Sequence, residues 1–127
     1  MKEKINGNSC ICWGIIGCGD VMEQKSGPAY NKVSGSKLIA VMGRDKSKIK
    51  DYAKRHGVPK YYTNADNLIH DNEVDAVYIA TPPDSHKEYA LKVAEAEKPC
   101  CIEKPMAPRY ADCLVIVDYF KKKELPL

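Results

Sequence analysis

Nowhere in the chain is there an apolar run approaching the roughly 18 residues that a membrane-spanning helix requires. The start is equally poor in apolar residues. Met1-Lys2-Glu3-Lys4 leads into Asn6-Gly7-Asn8-Ser9 and not into the hydrophobic segment of a secretory signal, so a soluble, cytoplasmic protein is expected. Charge of one sign is scarce as well: 20 basic against 17 acidic residues leave a formal charge of +3. That excess is too small for the basic stripe that grips a phosphate backbone, and nucleic acid is not an expected partner. The six cysteines, Cys10, Cys12, Cys18, Cys100, Cys101 and Cys113, contain no CxxC pair, which argues against a zinc site or a dithiol redox motif. Cys10, Cys12, Cys100 and Cys101 fall in segments that read as buried strands. A free cysteine there behaves as a small apolar residue, in keeping with a reducing compartment. Internal repeats and low-complexity tracts are also missing.

What is present is 127 residues, 44% of them hydrophobic, enough for one ordinary core and one domain. Ser9 to Asp20 carries a continuous apolar stretch that stops at glycines, as expected of a strand covered on both faces. Further strands are predicted at Leu38–Met42, Lys60–Tyr62, Ala76–Ala80 and Cys100–Ile102. Between them, Ile49, Tyr52, Ala53 and His56 recur at helical spacing, with Asp45 placed to cap the helix and Gly57 to close it. A short helix is predicted over Ala65–His70, and another where Ser85 and Glu88 have capping-box spacing ahead of Tyr89, Ala90, Val93 and Ala94. The last helix is predicted from about Tyr110 to Lys122. Glu124-Leu125-Pro126-Leu127 resembles a turn and the opening of a sixth strand. Strands alternating with helices across short connections predict an α/β, doubly wound parallel sheet, a Rossmann fold in three layers.

Gly17-Cys18-Gly19 directly follows the first strand, where a strand-to-helix turn brings backbone amides toward a pyrophosphate. The third glycine of a GxGxxG fingerprint would fall at Met22, so the fingerprint is incomplete and a tight turn without nucleotide is the competing reading. The turn is expected to run on through Asp20 and Val21 to about residue 25, with a new helix over Pro28–Val33, because Pro28 suits a first helical turn. At the end of the second strand, the position that is acidic in NAD-binding domains is Gly43, followed by Arg44. The missing side chain leaves room for a 2′-phosphate that Arg44 can pair bidentately, so NADP is favoured over NAD. Asp45 suits a helix N-cap at least as well as a ribose acceptor.

Two further loops make the pattern specific. Ala80-Thr81-Pro82-Pro83-Asp84-Ser85-His86 follows the fourth strand and Glu103-Lys104-Pro105 the fifth, both at the strand ends where doubly wound folds bind ligands. GCG, then ATPPxxH, then EKP resembles the Gfo/Idh/MocA family of glucose-fructose oxidoreductase and inositol dehydrogenase, from about residue 10 onward and over that family's N-terminal domain. The resemblance implies that Gly17 and Gly19 line the pyrophosphate, that Asp20 and Val21 also bind the cofactor, and that Arg44 meets its adenosine end. It also implies that Thr81, Pro82 and His86 run beside the pyrophosphate and nicotinamide ribose. Glu103 and Lys104 match the motif whose lysine lies near the nicotinamide. Lys104 is then the catalytic residue, able to hydrogen-bond the oxygen that gains or loses a proton during hydride transfer.

The implied parent activity is a nicotinamide-dependent oxidoreductase acting on a hydroxyl or carbonyl of a sugar, polyol or related small molecule. Family members continue into a second α/β domain that supplies a DxxxH-type aspartate and histidine and often an oligomer interface. No such domain is present here, so the chain alone is expected to turn over little substrate. A non-catalytic dinucleotide-binding module and a truncated remnant are the alternatives.

Overall fold

The structure, a computed structural model, describes residues 10–17, 19 and 27–127. Its elements in chain order are β1 (Ile11–Ile16), α1 (Gly27–Lys32), β2 (Ser36–Met42), α2 (Lys46–His56), β3 (Lys60–Tyr62), α3 (Ala65–Ile69) and β4 (Ala76–Ile79). A 3₁₀ turn over Pro83–Ser85 then leads into α4 (His86–Glu95), β5 (Cys100–Ile102) and α5 (Tyr110–Lys122). The strands form one sheet in the order β3-β2-β1-β4-β5, every pair parallel. The chain runs outward from β1 to β3, then returns to lay β4 on the other side of β1. The loops after β1 and β4 therefore leave neighbouring strand ends in opposite directions, and that divergence opens a crevice.

Two apolar clusters occupy the two faces of the sheet. Ile16, Val77 and Ile79 pack with Leu68 and Ile69 of α3, Ala90 and Val93 of α4, and Ile116 and Phe120 of α5. Ile15, Val41 and Tyr78 pack with Ile49, Tyr52 and Ala53 of α2 and with Tyr30 of α1. Helices thus cover both faces, giving the three layers expected. The pairing of β1 with β2 steps from Trp13↔Leu38 to Gly14↔Ala40, so Ile39 has no counterpart on β1. In consequence Ile39 and Ala40 both join the first cluster, while Leu38 and Val41 join the second.

Local chemistry explains the helix limits. Asp45 has extended backbone and its carboxylate accepts from the Lys48 amide at 3.2 Å, while Gly57 closes α2 at φ 65°, a left-handed conformation that costs glycine nothing. Asn64 caps α3 by accepting from the Asp66 amide. The capping box predicted at Ser85 and Glu88 is not formed. Ser85 itself has helical backbone, because the 3₁₀ turn begins two residues earlier, and its hydroxyl lies 2.7 Å from Thr81 Oγ1 and 2.9 Å from the Pro82 carbonyl.

The cysteine expectation also needs correction. Cys100 is buried, Cys12 and Cys113 are partly covered, and Cys10 and Cys101 are exposed, since Cys10 precedes β1 and β5 lies at the sheet edge. Glu124–Leu127 lies along that edge, where the Pro126 carbonyl accepts from the Cys100 amide at 3.1 Å, but it is not in strand conformation. No helix among the described residues is long and apolar enough to cross a membrane.

Candidate functional site

A cleft of ≈ 600 Å³ lies at the C-terminal ends of β1, β2 and β4. Gly17 and Gly19 line it from the turn after β1, Gly43, Arg44 and Asp45 from the end of β2, and Thr81 and Pro82 from the loop after β4. One face of α2 completes the wall with Lys48, Asp51, Tyr52 and Arg55. The structure therefore gathers five expected residues, Gly17, Gly19, Arg44, Thr81 and Pro82, into one concavity. Asp20 and Val21, with Cys18 and Met22, lie outside the described residues.

The glycine turn is built by close approach. Gly17 has φ +96°, its amide donates to the Met42 carbonyl at 2.8 Å, and a Cβ there would stand 2.9 Å from the Thr81 amide nitrogen and 3.0 Å from the Ala80 carbonyl carbon. Position 17 therefore excludes any side chain on two independent grounds. Among the described residues, nothing stands within 4 Å of where a Cβ of Gly19 would be, so none of them blocks the approach to its backbone. A glycine needed by the fold and a glycine left open beside it are what a turn carrying a diphosphate requires. Arg44 is exposed on the wall. Asp45, which also lines the cleft, is engaged as the N-cap of α2.

The residues expected near the nicotinamide are arranged differently. His86, expected beside the cofactor, does not line the cleft: it is wholly buried, with Nε2 2.6 Å from the Thr81 carbonyl and Nδ1 3.0 and 3.1 Å from the Pro105 and Met106 carbonyls. Glu103 does not line it either, because its carboxylate accepts from the Tyr78 hydroxyl on the side of the sheet covered by α1 and α2. Lys104 is exposed in the loop after β5 and has no ion pair among the described residues. The described residues contain no group of three or more His, Cys, Asp or Glu that could hold an ion.

Several participants were not legible in the sequence. Lys48 and Tyr52 face the cleft because they follow the Asp45 cap on one side of α2, a helical spacing that pointed only to packing. Behind Glu103, Tyr30 stacks on Trp13 and Tyr78 with centroids 4.8 and 5.6 Å away and hydrogen-bonds Cys101. Burial, reinforced by Cys101, Tyr78 and Glu103, pushes the Tyr30 phenol far up, so the ring stays neutral. Although Cys101 is exposed as a residue, the partial covering of its thiol and then the Glu103 carboxylate raise it, against a smaller opposing effect of the Tyr30 hydrogen bond.

Comparison with known proteins agrees with this geometry. Residues 11–127 match the model of the Gfo/Idh/MocA oxidoreductase family, described as an NAD-binding Rossmann fold. An oxidoreductase of Formosa agariphila is 47% identical over 125 residues, covering 98% of this chain and 37% of that protein. An inositol 2-dehydrogenase of Acidothermus cellulolyticus is 34% identical over 105 residues, covering 83% of this chain and 31% of its own length. Among solved structures, an oxidoreductase of Agrobacterium radiobacter in complex with NAD+, L-tartaric acid and magnesium superposes with a TM-score of 0.86 at 26% identity. It covers 92% of this chain and 34% of its own. The chain thus spans about a third of the length of these relatives.

Proposed function

Because this chain belongs to the Gfo/Idh/MocA oxidoreductase family, we propose that it is the cofactor-binding part of an NADP-preferring dehydrogenase or reductase acting on a hydroxyl or carbonyl of a sugar or polyol. The observation that carries the reading is the single cleft joining the Gly17–Gly19 turn, the Gly43–Arg44 strand end and the Thr81–Pro82 loop. Its shape and chemistry suit a dinucleotide. The open backbone at Gly19 admits the pyrophosphate, and Arg44 beside the bare Gly43 offers a guanidinium to a 2′-phosphate.

In this reading Gly17 and Gly19 hold the diphosphate, Arg44 selects the phosphorylated ribose, and Thr81 and Pro82 border the path toward the nicotinamide. The bound nicotinamide supplies hydride transfer to or from the substrate carbon. Lys104 hydrogen-bonds the reacting oxygen through Nζ and holds the proton that this oxygen loses or gains. A sugar or polyol as substrate is in accord with the inositol 2-dehydrogenase among the relatives.

The test is titration with NADPH and NADH, read by the reduced cofactor's own fluorescence. Trp13 is a poor reporter, because it borders a separate apolar hollow with Ile11, Tyr30 and Val33 at the other end of β1. Tighter binding of NADPH that Arg44→Ala abolishes supports the reading. Failure of both cofactors to bind at about 1 mM would end it.

A further inference from the structure

His86 is the one histidine buried completely, and it lies between the two loops that follow β4 and β5. Every hydrogen-bond partner of its ring is a backbone carbonyl: Thr81 at 2.6 Å on one side, Pro105 at 3.0 Å and Met106 at 3.1 Å on the other. Carbonyls accept and never donate, so a ring nitrogen that carries hydrogen is the donor in its contact: a ring with one N–H donates to one loop and packs its other nitrogen against the second, and donation to both takes a hydrogen on each nitrogen. The first loop lines the cleft, and the second, which does not line it, carries the proposed Lys104. Thr81 lines the cleft and crowds Gly17 to within 2.9 Å of a would-be Cβ, while Pro105 and Met106 directly follow Lys104. The His86 ring stands within hydrogen-bond distance of the backbone of both loops.

We propose that His86 is a positioning residue. It fixes the backbone after Lys104 relative to Thr81, and hence the height of the Lys104 ammonium above the glycine turn. The proposal rests on the reading that Lys104 meets the nicotinamide. Its physical basis is that an exposed lysine on a loop has many rotamers, and only a backbone held from behind restricts where the ammonium can reach. A ring with short contacts on opposite sides does this better than a single hydrogen bond, because it sets a separation and an angle together.

The experiment compares two ligands on the same chain: NADPH, and 2′-phospho-ADP-ribose, which lacks the nicotinamide. Wild type should bind NADPH about tenfold tighter than the fragment, the worth of one or two hydrogen bonds at the nicotinamide end. His86→Leu fills the space without a donor, and His86→Gln restores part of the donor set. The leucine variant should lose that tenfold preference while fragment binding changes less than about twofold, and the glutamine variant should regain part of it. Lys104→Ala should lose the same preference, and His86→Leu/Lys104→Ala should lose no more than either single variant, the non-additivity expected when one residue acts through the other.

Equal binding of both ligands by wild type, or additive losses in the double variant, would overturn the positioning role. Loss of both ligands together with a collapsed unfolding transition in both His86 variants would do the same and leave a merely structural histidine. If wild type binds neither ligand, the dinucleotide reading fails first and takes this one with it.

Discussion

Asp75 and Cys12 exchange two hydrogen bonds: the Asp75 amide donates to the Cys12 carbonyl at 2.7 Å, and the Asp75 carboxylate accepts from the Cys12 amide at 3.0 Å. The carboxylate thereby stands in for a strand, extending the β1–β4 ladder one step beyond the Trp13↔Ala76 pair. Asp75 is 4% exposed. Asp75→Ala should therefore cost about 1–3 kcal/mol in urea unfolding, the penalty of a buried amide left without its acceptor. Asp75→Asn keeps an acceptor and should recover much of that loss. Equal destabilisation by both variants would show that the charge matters and the acceptor does not.

The two glycines of the turn should separate fold from ligand. Gly17→Ala places a methyl against Thr81 backbone at a positive φ and should destabilise the chain by about 1–3 kcal/mol, abolishing cofactor binding as it does so. Gly19→Ala meets none of the described residues. It should leave thermal unfolding unchanged and weaken dinucleotide binding at least about tenfold if the diphosphate lies against that backbone. Undiminished binding by Gly19→Ala would move the diphosphate elsewhere.

Cofactor choice should turn on Gly43. A Cβ there would stand 3.3 Å from Ile49 Cβ and Cδ1, so a side chain fits only if the first turn of α2 shifts by a few tenths of an ångström. Gly43→Asp should melt slightly earlier than wild type and lower the ratio of NADPH to NADH affinity by roughly tenfold or more, because a carboxylate repels the 2′-phosphate and accepts from a free ribose. An unchanged ratio would place the adenosine ribose away from this strand end.

Acid should find a weak point far from the cleft. Burial alone would raise the Asp71 carboxyl, but hydrogen bonds from the Lys60 ammonium, the Tyr62 hydroxyl and the Glu73 amide outweigh it and hold the group below its ordinary value. A carboxyl depressed in the folded state contributes stability that is whole above its unfolded value of about 4 and fades as pH falls through the folded one. Asp71→Asn should be less stable than wild type at neutral pH, and the gap in urea midpoint should narrow below about pH 4. A gap that stays constant with pH would mean that the carboxylate's charge contributes nothing.

How much of this could be read in advance depended on how far apart the partners lie in sequence. β3, β5 and α5 have the predicted bounds, and Asp45 and Gly57 enclose α2 as expected, because caps and apolar runs act over a few neighbouring residues. The cleft-lining role of Gly17, Arg44 and Thr81 was legible because each lies within two residues of a strand's C-terminal end, and the fold brings strand ends together. The Asp75 to Cys12 contact spans 63 residues, and the Tyr78 to Glu103 contact 25. Neither leaves a periodic trace. Ser85 misled because S-x-x-E spacing says nothing of the proline-led turn that had already begun. The histidine in a first helical turn read as solvent-facing or ligand-facing, since no local pattern shows that two loops close over it.

The unpaired Ile39 makes the second strand longer than the partner it lies against. Were it removed, Leu38, Ala40, Val41 and Met42 would stand one for one opposite Trp13, Gly14, Ile15 and Ile16, each still facing the cluster it faces now. Losing a residue from a central strand ordinarily turns every later side chain over. Here the frame is already shifted by one, and a deletion would restore it. A family lineage could thus drop a codon in the middle of its core and still deliver Gly43 and Arg44 to the same edge of the cleft.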